Sequence, residues 1–150
     1  MKASYHVVAS GVVAASFHAL AHSWPATTAC FLSGILIDVD HYWEYYLVRK
    51  KMPCSYQDLV DFCFYDKHSK LYLIFHSYEY LVLFWLAITV LDLGLVFQGI
   101  ALGATVHLLF DQFTNPIKPL YYFLTYRIIH GFDKKRTLSQ KYFEINHSRD

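Results

Sequence analysis

Four apolar stretches dominate this chain: Tyr5 to His22, Pro25 to His41, Leu71 to Leu93 and Leu95 to Phe113. A helix of about 20 apolar residues matches the hydrocarbon thickness of a bilayer, so this pattern predicts an all-α fold, a bundle of four transmembrane helices. Composition points the same way. Of 150 residues, 55% are hydrophobic and 17% charged, against an apolar share of roughly 45–50% in ordinary soluble domains. The expected organisation is one integral membrane domain over residues 1–132 and a polar tail over 133–150. A net charge of +1, with no basic stripe, argues against nucleic acid as a partner. Cys30, Cys54 and Cys63 show no C-x-x-C spacing, so neither a disulfide framework nor a zinc knuckle is expected.

Taken in order, the first stretch has two readings. Lys2, the apolar run and the small-x-small sequence Ala19-Leu20-Ala21 fit a cleaved signal peptide, whereas His6, His18 and His22 favour a retained span. Its small residues Ser10, Gly11, Ala14, Ala15 and Ala19 allow close helix packing in lipid. Pro25 opens the second stretch, where a missing amide hydrogen costs nothing in the first helical turn. Pro25 to Ile37 covers only about 20 Å at 1.5 Å per residue, short of a core of about 30 Å. Either the helix continues through Asp38-Val39-Asp40-His41 or that motif lies below the headgroups. The aromatic series Tyr42, Trp43, Tyr45 and Tyr46 then suits the interface, with Arg49-Lys50-Lys51 in water beyond it. Residues 48–70 are expected to form a loop. Asp92-Leu93-Gly94 is a turn, Asn115-Pro116 ends the fourth span, and residues 117–132 are expected to lie as an interfacial helix along the headgroups.

Four spans put the N-terminus, the 48–70 loop and the C-terminus on one side. All 13 Lys and Arg then fall on that side, which makes it cytoplasmic and the protein multi-pass with both termini inside. The same topology brings polar residues to one depth. His6 starts the first span, Asp38, Asp40 and His41 end the second, His76 enters the third, and His107 and Asp111, one helical turn apart, end the fourth. Imidazoles and carboxylates at membrane depth are costly unless paired, hydrated or bound to a cation. A nitrogen and oxygen donor set without thiolate suits Zn, Mn or Fe, and it exceeds what one tetrahedral zinc uses. Two divalent ions sharing a carboxylate such as Asp40 is the economical reading. Glu79 is expected one turn deeper than His76, as a further ligand, an acceptor for a ligand histidine or a proton carrier. His68 could fold over the site from the loop. His18 and His22 fall at the far end and read as packing histidines. The competing reading is a hydrogen-bonded polar cluster that only fixes helix register.

These residues resemble a known family. His6-x-x-x-x-Gly11, Asp38-Val39-Asp40-His41 closing a hydrophobic helix, His76-Ser77, and Gly103-x-x-x-His107-x-x-x-Asp111-x-x-Thr114 together resemble the LexA-regulated, membrane-bound metal-dependent hydrolases of bacterial inner membranes. The resemblance implies His6, Asp38, Asp40, His41, His76, His107 and Asp111 as the metal set, with Ser77 and Thr114 supporting it. Two positions depart from the pattern: Ile37 stands where the family usually has Pro, and no His-Arg pair closely precedes His76. The implied chemistry is hydrolysis by metal-activated water, with Asp40 and Glu79 as the catalytic candidates. At headgroup level the substrate would be a phosphoester or ester of a lipid-like molecule, with Lys67, Lys70, Lys118 or Arg127 available to neutralise a phosphate. The partners expected are membrane lipid and either further copies of the chain or another membrane protein. The alternative class is non-enzymatic, either a metal or proton carrier using Glu79, His76 and His107 or a small structural subunit. A carrier needs polar residues continuing to the far side, where only His18, His22 and Gln98 are available.

Overall fold

A computed structural model describes residues 3–65, 70–115, 117–133 and 136. Among them the chain is helical: α1 (Ala3–Ala21), α2 (Trp24–Leu36), α3 (Val39–Arg49), α4 (Tyr56–Tyr65), α5 (Tyr78–Val90), α6 (Gly94–Thr114), a 3-10 turn (Pro119–Tyr122) and α7 (Leu124–Ile129). The helices belong to two compact units. The first comprises Met1–Ile37 and Ser77–Asn115, the second Asp38–His76 and Pro116–Asp150.

The first unit is built on the seam between α2 and α6, where small residues let two backbones approach. Gly99 and Gly103, one turn apart on α6, face the carbonyls of Ala26 and Cys30 so closely that neither position has room for a β-carbon. Ala26, Cys30 and Ala101 are completely buried there. Ser33 donates its hydroxyl hydrogen across the seam to the carbonyl of Ile100 at 2.9 Å. On its other side α2 meets α1, where Gly34 lies against the Ser10 side chain. Small side chains in such rows let helix backbones approach closely. α5 leans on α6 through Trp85, whose indole N–H donates to Thr105 Oγ1 at 3.1 Å, and through Tyr78 to Gln112. Its outer residues Val82, Leu83, Leu86 and Val90 are exposed.

One helix among the described residues, Gly94–Thr114, is long and apolar enough to cross a membrane by length and composition. The apolar helices Tyr5–Ala21 and Tyr78–Val90 are shorter. The structure thus shows the expected all-helical class and one candidate span rather than four.

Three local expectations change. The second stretch does not run on through the acidic motif: α2 stops at Leu36 and α3 begins at Val39 with Asp38 as its N-cap. The third stretch is helical only from Tyr78, and Leu71 to Ser77 precede the helix. Its apolar residues imitate a span, but its amides are taken up by carboxylates of α3, described below. The 48–70 region contains α4, whose Leu59 and Phe62 bury against Tyr45 of α3 in a small core of the second unit. Tyr45 O–H also donates to Asp58 Oδ2 at 2.8 Å. The expected interfacial helix over 117–132 is a 3-10 turn followed by the six-residue α7. Nearly all of the 133–150 tail lies outside the described residues.

Candidate functional site

In the first unit, His6, His107 and Asp111 come together. Asp111 is one turn beyond His107 on α6, as the spacing predicts, and one of its oxygens lies 3.5 Å from His107 Nε2. Its other oxygen lies 3.1 Å from Nε2 of His6 on α1. The two imidazoles are stacked with centroids 4.1 Å apart, and all three residues are at most 5% exposed. His107 Nδ1 lies 2.8 Å from the carbonyl oxygen of Gly34. A carbonyl only accepts, so Nδ1 carries the hydrogen. Nε2 of a neutral His107 therefore turns its lone pair toward the Asp111 carboxylate. A lone pair facing an anion in a buried setting is stable only if a proton or a cation lies between them. Two stacked imidazoles on the two oxygens of one carboxylate are hence not an isolated His107–Asp111 pair.

The second unit gathers Asp38, Asp40, His41 and His76 with a residue that the sequence pattern hid, Glu44. His76 Nε2 is 3.5 Å from Asp38 Oδ1, and its Nδ1 is 3.3 Å from Asp40 Oδ2. Asp40 Oδ2 also accepts the backbone N–H of Phe75 at 2.7 Å and of His76 at 3.4 Å. Asp40 thus holds the ring and backbone of His76 from behind, while Asp38, with its side chain 38% exposed, stands on the Nε2 side. A carboxylate behind one imidazole nitrogen, fixing the ring while the other nitrogen serves a metal, is the common outer arrangement of histidine ligands. His41 has Nε2 3.8 Å from Asp38 Oδ1 and Nδ1 3.9 Å from Glu44 Oε2. Its Nδ1 is also 3.5 Å from Cys63 Sγ, so this thiol lies beside the set. Glu44 is 1% exposed and accepts the N–H of Tyr72 at 2.9 Å.

The remaining candidates fall elsewhere. Glu79 is half-buried in the first turn of α5. His76 precedes that helix, so the expected one-turn relation between the two does not form. Ser77 is completely buried at the N-cap of α5. Thr114 turns its hydroxyl back to Phe110 O of its own helix at 2.7 Å. His18 pairs with Thr27 at 2.9 Å and stacks on Trp24, as a packing histidine does. Lys118 donates to Arg136 O at 3.0 Å. His68 and Lys67 lie outside the described residues. Arg127, expected as an interfacial charge, is instead 0% exposed, and so nearly is Tyr121, over whose ring it sits at 5.2 Å. Burial, with Glu44 adding to it, pushes the Tyr121 hydroxyl well above the usual tyrosine range, so it stays a neutral phenol. The clue to Glu44 was its place one helical turn after Asp40 within an aromatic stretch. Nothing local marked Arg127.

Comparison with protein-family models, curated proteins and solved structures finds no match. Fold and donor chemistry set the class: an all-helical protein with one candidate membrane span, in which Asp38 with His76, and His107 with Asp111, could hold a metal ion.

Proposed function

We propose that this chain is a multi-pass inner-membrane protein and a metal-dependent hydrolase, akin to the LexA-regulated, membrane-bound family that its motifs resemble. The observation that carries this reading is the buried pair of stacked imidazoles on Asp111, with the tautomer of His107 set by Gly34. Each unit supplies one ion's donors: His6, His107 and Asp111 in the first, and Asp38, His76 and His41 in the second. Bound there, a divalent zinc or manganese would supply Lewis acidity, acidifying water and polarising an ester oxygen. The chain's own residues do the rest. Gly34 fixes the tautomer of His107, Asp40 fixes the ring of His76, and Glu44 anchors the segment before α5. The exposed apolar residues of α1, α5 and α6 favour a lipid environment and a lipid-like phosphoester or ester as substrate.

The test is metal content of detergent-purified protein together with turnover of a generic phosphoester. About two divalent ions per chain are expected. Asp111→Asn and Asp38→Asn should each lose part of that metal and lower turnover with it. A folded wild type that binds no divalent ion would overturn the reading. Two bound ions without turnover on any ester would leave a metal-binding membrane protein instead.

A further inference from the structure

The geometry points to Arg127 as the positioning residue for His76, a role that rests on the metal reading above. His76 lies in a segment, Leu71 to Ser77, that has no helical hydrogen-bond ladder of its own. Its position must therefore come from outside partners. Its N–H and its Nδ1 are held by Asp40 Oδ2. Its carbonyl accepts from Arg127 Nη2 at 3.1 Å, while Arg127 Nη1 donates to the carbonyl of Leu73 three residues earlier. The planar guanidinium presents its donors in a rigid fork, which grips two carbonyls at a fixed spacing. With backbone donor, backbone acceptor and one ring nitrogen all tied, Nε2 is the part of His76 left to face Asp38.

The cost of this arrangement argues that it has a purpose. Arg127 is 0% exposed, its Nε has no acceptor, and no carboxylate among the described residues lies within ion-pair distance of it. A buried guanidinium without a counter-ion is expensive. The segment's amides bind carboxylates of α3, through Tyr72, Phe75 and His76, and its carbonyls bind the cation. It is thus clamped between opposite charges, and Arg127 is the only cationic half of the clamp that the structure describes.

The experiment uses the full chain in detergent with Co²⁺ as the probe, read by affinity in competition with a chelator and by the visible absorption of the bound ion. Arg127→Met should keep helical circular dichroism, lose Co²⁺ affinity by about 10–100-fold, and shift the absorption bands because His76 no longer holds one orientation. Arg127→Lys, which keeps the charge but lacks the rigid fork, should fall between. Loss of melting temperature with unchanged affinity and spectrum in Arg127→Met would reduce Arg127 to a structural residue and overturn the inference. Should Arg127→Met fail to fold, wild-type affinity and spectrum in Arg127→Lys would overturn it equally. Absence of Co²⁺ binding in the wild type would instead defeat the metal reading, and this inference with it.

Discussion

Replacing Gly103 by Ala tests the seam and the site together. A β-carbon there would run into the carbonyl of Cys30 and the hydroxyl of Ser33, with the Gly34 amide nitrogen only 3.0 Å away. Two of these are backbone atoms, which cannot rotate aside, and the Ser33 hydroxyl is engaged with Ile100. Restoring ordinary contact needs α2 and α6 to part by about 1 Å. Overpacking of this kind costs about 1–3 kcal/mol. The same displacement stretches the 2.8 Å bond from His107 to the Gly34 carbonyl, for about another 1 kcal/mol. Against this, alanine is favoured over glycine inside a helix by about 1 kcal/mol. The net expectation is a loss of about 1–3 kcal/mol, read by reversible unfolding in mixed detergent, with reduced metal in the His107 set. Gly11→Ala is the control, since a β-carbon there meets only Phe31 at 3.9 Å. It should be neutral or slightly stabilising. If Gly103→Ala proved as stable as Gly11→Ala and kept full metal, the tight seam and its link to His107 would both be refuted.

Three further outcomes are expected. A chelator should lower the melting temperature of the wild type and do little to an Asp40→Ala, His107→Ala double variant, which lacks a donor or its support in each unit; an equal response would favour the register-only reading. Native thiol labelling should be fast at exposed Cys54 and absent at fully buried Cys30, and an impermeant reagent outside intact cells should spare Cys54 and Cys63; labelling from outside would invert the topology. Asp58 accepts hydrogen bonds from the Cys54 amide and from Tyr45, which hold its carboxyl below the usual carboxylate range. Because its pKa is lower folded than unfolded, its stabilisation is present above about pH 4 and is lost as pH falls through the folded value. Asp58→Asn should therefore flatten the acid limb of the second unit's unfolding curve, and an unchanged limb would count against the role.

The ends of α1 and α6 were legible because punctuation marks them: His22-Ser23 before Pro25, Gly94 after Asp92, and Asn115-Pro116. Residue identity also exposed the donors, since a histidine or aspartate in an apolar run has few innocent explanations. What local pattern could not show was partnership across the sequence. Leu71 to Phe75 is as apolar as a span, and only the distant Asp40, Glu44 and Arg127 make it something else. The α4 segment reads as loop in the sequence because Asp58, Asp61 and the flanking lysines outweigh the spacing of Leu59 and Phe62. The packing role of Gly99 and Gly103 did not show locally, because their partner row on α2 lies far earlier in the chain.

That separation sets a timetable for biogenesis. Gly34 and His107 are 73 residues apart, and at about 5–20 residues per second a ribosome needs roughly 4–15 s to reach His107 after Gly34. Throughout that interval α1 and α2 exist without the helix that their small-residue row is shaped to receive. A nascent chain stalled before Gly99 should be the form most exposed to quality-control proteases, and its rescue should wait on the emergence of α6.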